Sequence, residues 1–324
     1  VYNILKYLYL IYLVLFIGLR YEVGGDWFQY EKIYQETINQ YLLFNLNLKN
    51  DVLFINLINL TSYISENIVF LNFILATIFI FSINYFLDDN SDFFFIILTT
   101  LPIYVFLIGI GFVRQATAIS FFLISIKLLI RNKLLRSYAF FIISLGFHKT
   151  ILPFILIYFL NIKKNAHIFI ILLIIIIFTI IFFNSFSRLI FYYLGQGIHF
   201  ISYGSIQRLI IISFFACFFI IFHKKLVNND IEKKIFLTLS FIVIFISPFV
   251  FHLSSAIDRL AFYAMPIQIF CIMRSKRIFK NNKNYQIFKI ISCLISFIII
   301  FVWFNFAHHK IGWLPYKNYF FSNL

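Results

Sequence analysis

Charged residues are scarce in this chain: 12% of its 324 residues carry charge, while 62% are hydrophobic and mean hydropathy is +0.95. So little charge beside so much apolar surface excludes a soluble globular domain, whose single core buries far less. Cysteine is nearly absent. Cys217, Cys271 and Cys293 lie inside apolar stretches and share no metal-ligand spacing, which excludes a disulfide framework and a zinc site. No small-residue cleavage site follows the first apolar stretch, so residues 1–19 read as a retained helix. Repeats and linker-like shifts in composition are also missing, and one membrane domain over 1–324 is expected.

What remains is a series of apolar stretches of roughly 17–22 residues, the length a helix needs to cross about 30 Å of hydrocarbon at about 1.5 Å per residue. The expected fold is an all-α polytopic membrane protein, with about nine full spans near 2–19, 68–86, 93–111, 114–130, 167–184, 206–223, 235–252, 259–273 and 287–305. Lys and Arg number 27 against 12 Asp and Glu. The basic residues sit in short loops between spans, which is the pattern of membrane orientation and not of nucleic-acid binding.

Residues 137–160 are apolar but interrupted by Gly146, Phe147, His148, Lys149 and Thr150, and a His-Lys pair is costly at mid-bilayer in an ordinary span. A single crossing would also put Lys163–Lys164, the 224–234 loop and the 274–289 loop on the opposite side from Arg131, Lys133 and Arg136. Two short helices that enter and return, with His148 at the buried tip, place all four basic loops inside. Asp88, Asp89 and Asp92 then lie inside as well. The segment 20–67, with 41–64 along the interface, the loop 185–205 and the tail 306–324 are expected on the periplasmic side.

Charged residues near the outer ends of the spans are mostly cationic: Arg20, Arg114, Lys149, Arg188, Arg208 and Arg259. Several guanidinium groups around one cavity suit a diphosphate, because the planar fork binds phosphate oxygens in pairs and keeps its charge. Arg20 precedes Glu22, Gly24, Gly25 and Asp26, and the glycines permit a turn that presents Asp26, with Tyr30 on the helix that follows. An ordinary helix exit with an interfacial Arg and aromatic belt explains the same residues. Arg114 and Gln115 open a helix where free N–H groups favour an anion, or Arg114 simply snorkels. His148 suits acid–base chemistry or donation to phosphate. Arg259 and Tyr263, four apart after Asp258, share a helical face, and Arg208 after Gly204 repeats the pattern of an Arg at an outer helix start.

The segments GLRYEVGGDWFQYEKIY (18–34), FVRQATAIS (112–120), LGFHKTILPF (145–154), DRLAFY (258–263) and WLPYKNYFF (313–321) together resemble the EpsG/Wzy-like family of bacterial polysaccharide polymerases. The resemblance implies a GT-C-type membrane glycosyltransferase in the bacterial inner membrane, joining repeat units carried on undecaprenyl diphosphate at the periplasmic face. A flippase and a chain-length regulator are the implied protein partners, and neither metal nor cofactor is called for. Asp26, His148, Arg114 and Arg259 form the expected catalytic set. Arg20, Glu22, Tyr30, Gln115, Lys149, Arg208 and Tyr263 form the expected substrate-binding set, with Lys149 standing where family members often carry a small residue. In the expected mechanism Arg114 and Arg259 hold the diphosphate, while Asp26 or His148 takes the proton of the acceptor hydroxyl. A flippase for the same lipid-linked sugar and a ligase transferring finished chains are the competing classes; the chain lacks the internal symmetry usual in flippases.

Overall fold

A computed structural model describes residues 1–38, 51–88, 92–159 and 202–322. Among these, every named element is helical. The helices are Tyr2–Gly18 (α1), Trp27–Ile38 (α2), Val52–Ser62 (α3), Ile68–Phe86 (α4), Phe93–Leu101 (α5), Val113–Ile130 (α6), Leu134–Phe147 (α7), Leu156–Phe159 (α8), Ser205–Leu226 (α9), Asp230–Ile246 (α10), Ser254–Ala261 (α11), Pro266–Arg274 (α12) and Asn282–Phe306 (α13). Six helical stretches are long and apolar enough to cross a membrane: α4, α6, α9, α10 with its extension to Phe251, α11 and α12 taken together to Arg277, and α13. The protein is a multi-pass membrane protein. The expected span 167–184, Arg188 and the loop 185–205 up to residue 201 lie outside the described residues.

Asparagine and aspartate set several helix starts by accepting a backbone N–H that the helix cannot pair internally. Asn67 caps α4 through Val69 N (2.9 Å), Asp92 caps α5 through Phe95 N (3.2 Å), and Asn229 caps α10 through Glu232 N (2.8 Å). The α10 cap moves the start of that helix to Asp230, ahead of the apolar run that marks it in the sequence. Two expected spans are not regular. Helix α5 widens into a π-helix over Pro102–Gly109, where proline brings no N–H to the ladder. The 259–273 span is broken by a 3₁₀ turn over Phe262–Ala264.

The 137–160 region breaks at His148, whose extended backbone (φ −159°, ψ 116°) ends α7. A 3₁₀ stretch over Lys149–Ile155 and the short α8 then lead the chain back. Tyr158 returns to the start of α7, stacking on Tyr138 at 4.7 Å and bonding the Ser137 hydroxyl at 2.8 Å. His148 is therefore at the tip of a hairpin. Gly146 admits Leu53 of α3 at this tip, since a Cβ there would lie 2.5 Å from the leucine side chain.

Ion pairs are found at both ends of the bundle. At one end, Lys127 meets Asp88 at 2.8 Å, Arg274 meets Asp88 and Glu232, and Lys289 meets Asp92. These contacts join the ends of α4, α6 and α12 to the starts of α5, α10 and α13, and give each buried ion a partner. The Arg114 end lies about 20 Å away along α6, at about 1.5 Å per residue.

Candidate active site

The turn after α1 is built for close approach. Gly24 adopts φ +117°, and a Cβ there would lie 2.5 Å from the Ile110 carbonyl oxygen, so only glycine fits. The C-terminal tail clamps this turn: Gly24 N donates to Gly312 O (2.6 Å), Tyr21 N to Lys317 O (3.0 Å) and Tyr319 N to Leu19 O (2.8 Å). Trp313 lies over Gly25 and Gly111 and donates its indole N–H to Phe106 O at 2.8 Å. Gly25 of the first motif and Gly111, just ahead of the second, thus accommodate the tryptophan of the last, and the turn ends with Asp26 at the start of α2.

Around Asp26 four other segments converge. Tyr30, one turn into α2, reaches Asp26 Oδ2 with its hydroxyl (3.4 Å) and lies beneath the Arg114 guanidinium, 5.1 Å from ring centre to Cζ. Arg114, in the first turn of α6, pairs with Asp51 Oδ2 at 3.1 Å and passes over Phe54 at 5.5 Å. Its Nε is buried without a hydrogen-bond partner among the described residues. Asp51, just before α3, also accepts from the Lys149 backbone N–H.

The hairpin tip supplies His148. Its Nδ1 is engaged by Thr150 Oγ1 (2.6 Å) and the Tyr263 hydroxyl (3.2 Å), which fixes the ring by one nitrogen. Tyr263 is fully buried in the 3₁₀ turn that follows α11. In the last turn of α11, Arg259 receives on its carbonyl the side-chain amide of Gln115. Its positive charge acts on both Asp26 and Asp51.

Burial raises the Asp26 carboxyl above the ordinary carboxylate range, opposed by Arg259, Arg114 and the Tyr30 hydroxyl. Burial likewise raises Asp51, opposed chiefly by Arg114 and Lys149. Two carboxyl groups with weakened acidity therefore lie within reach of the Arg114 and Arg259 charges, and Asp51 within reach of Lys149 as well. Such an arrangement can bind an anion of more than one charge and accept a proton beside it. No three His, Cys, Asp or Glu side chains converge as a metal set among the described residues.

Of the residues singled out from the sequence, Asp26, Tyr30, Arg114, Gln115, His148, Lys149, Arg259 and Tyr263 meet here, and three stand elsewhere. Arg20 is 1% exposed and packs the turn: Nη1 donates to Ile17 O (2.6 Å), Nε to Val23 O (3.0 Å) and Nη2 to Asn72 Oδ1 (3.3 Å), with Trp27 against its face. Glu22 pairs with Lys317 of the tail. Arg208 grips Asp258 through Nε (2.8 Å) and Nη2, and Ser202 binds both. Asp51 is the residue that sequence reasoning missed. An acid ahead of an interfacial helix reads as an N-cap, although its side chain makes no cap bond.

A family model described as EpsG family matches residues 3–318. No curated protein and no solved structure matches the chain.

Proposed function

This protein belongs to the EpsG family, and from that membership and the cluster at the Arg114 end of the bundle we propose that it is a polysaccharide polymerase of GT-C-type architecture. Its substrates are oligosaccharide repeat units on undecaprenyl diphosphate, and the cluster faces the periplasm from the inner membrane. The observation that carries the reading is the convergence of Arg114, Arg259 and Lys149 with the raised carboxyl of Asp26.

In this mechanism Arg114 and Arg259 hold the donor diphosphate and stabilise the charge that grows as the anomeric C–O bond breaks. These cations do the work without a metal. Asp26, as the carboxylate, takes the proton of the acceptor hydroxyl while its oxygen attacks the anomeric carbon, and lipid diphosphate leaves. One displacement inverts that carbon. Asp51 holds the Arg114 fork, and His148, fixed by Thr150 and Tyr263, lines the acceptor side.

The test uses purified full-length protein in lipid nanodiscs with a defined lipid-diphosphate-linked repeat unit, and product length read on a gel. A ladder of lengthened products is expected. Recovery of only single units from active-site-intact protein refutes the reading, and movement of single units across vesicles without lengthening reassigns the protein as a transporter.

A further inference from the structure

A cavity of about 510 Å³ lies beside the cluster and takes no part in the chemistry above. Its floor is the π-helical segment, through Ile103 and Leu107. One side is α9, through Ile211, and the other is α13, through Ile299 and Val302. The floor residues are buried, whereas Ile210 on α9 and Ile298 and Phe306 on α13 are exposed. The sides of the cavity therefore run out into an apolar surface of the bundle, and its volume falls in the range of about 300–1,000 Å³ usual for small-molecule sites.

Polar lining is gathered at the end that carries Arg114. Gln207, Arg208 and His309 stand there. The Arg208 charge is matched by Asp258, and His309 Nε2 accepts the Trp303 indole N–H at 2.9 Å. Two contacts tie this mouth to the catalytic cluster. Asp258 is next to Arg259 on α11, so one short helix presents its acid to the cavity mouth and its arginine to the cluster. Trp303, which lines the cavity, meets Trp313 edge-on at 5.1 Å, and Trp313 covers the two glycines that flank Asp26 and Arg114.

We propose that this cavity seats the hydrocarbon chain of the lipid diphosphate donor, and that the chain leaves between α9 and α13 into the bilayer. The identity of the donor rests on the polymerase reading. A diphosphate held between Arg114 and Arg259 must send its chain into apolar surroundings, and this cavity begins one helix away, with the Arg208 charge at its mouth already paired and an apolar interior. Burial of each methylene is favourable where the free chain is in water. In a bilayer that gain falls away, so the cavity selects the shape of the chain and its entry point.

The test photocrosslinks full-length protein in nanodiscs with a diazirine-bearing farnesyl diphosphate, and in parallel with a diazirine-bearing phosphatidylglycerol. Labelling by the isoprenoid diphosphate at 203–211 and 298–309, competed by unlabelled farnesyl diphosphate and not by phosphatidylglycerol, is expected. Equal labelling by both probes overturns the proposal in favour of bulk lipid, as does isoprenoid labelling confined to other segments. Leu107→Trp and Ile299→Trp fill the cavity and are expected to raise KM about tenfold for a donor with a long chain. For a donor with a two-isoprene chain KM stays within about twofold. Equal KM changes for both donors count against the assignment. If wild-type protein makes no polymer while the competed crosslink remains, the polymerase reading fails and the cavity assignment stands.

Discussion

Replacing Arg114 by lysine tests the central physical claim most directly. The guanidinium uses Nη1 on Asp51 at 3.1 Å and lies over Tyr30 and Phe54, and its buried Nε has no hydrogen-bond partner among the described residues. Lysine keeps the charge and loses the fork. Its ammonium satisfies Asp51 or a phosphate oxygen, not both in the arginine geometry. Loss of one preorganised donor to a transition-state oxyanion costs about 2.7–4 kcal/mol, or roughly 10²–10³ in kcat. A misplacement of about 1 Å costs a similar factor. Arg114→Lys is therefore expected to lower kcat about 100-fold and to raise KM for the donor as well, because Arg114 both holds the diphosphate and stabilises the charge that grows on it. The assay is initial-rate chain extension in nanodiscs with a defined lipid-linked unit, with circular dichroism to confirm folding. A folded Arg114→Lys variant that keeps more than about a third of wild-type kcat refutes paired phosphate binding by this side chain.

Four further predictions follow from the same geometry. The raised Asp26 carboxyl must be ionised to act as base, so activity is lost as pH falls through that raised pKa; the acid limb of the kcat profile is expected above the ordinary carboxylate range. Asp26→Asn should remove the limb along with nearly all turnover, and an unchanged profile would take Asp26 out of proton transfer. Gly111→Ala places a Cβ 2.8 Å from Trp313 and is expected to destabilise docking of the tail by about 1–3 kcal/mol, read as faster proteolysis after residue 306; wild-type proteolysis rates would contradict the clamp. Glu22→Gln removes only a half-exposed pair with Lys317, worth about 0–1 kcal/mol, so activity within about twofold of wild type is expected, and a tenfold loss would return Glu22 to the site. EDTA treatment is expected to leave chain extension unchanged, since the cations that face the diphosphate are side chains; loss restored by added Mg²⁺ would reverse that view.

The order of residues alone makes six of the membrane-crossing helices legible, because length and hydropathy are local properties that the bilayer reads directly. It also placed the break at His148, where a buried ionisable pair cannot continue a span, and the five motif segments that meet at one end. Which side chains in those motifs meet in one cluster depends on how the helices pack. Arg20, Glu22 and Arg208 look like Arg114 and Arg259 along the chain, yet each is taken up by partners from distant segments: Asn72, Lys317 and Asp258. Asp51 enters the site through Arg114, 63 residues away. Charge pairing across the bundle depends on how helices are laid side by side, and in a low-dielectric interior each buried ion must find its partner wherever the fold brings one; spacing along the chain carries no record of that choice.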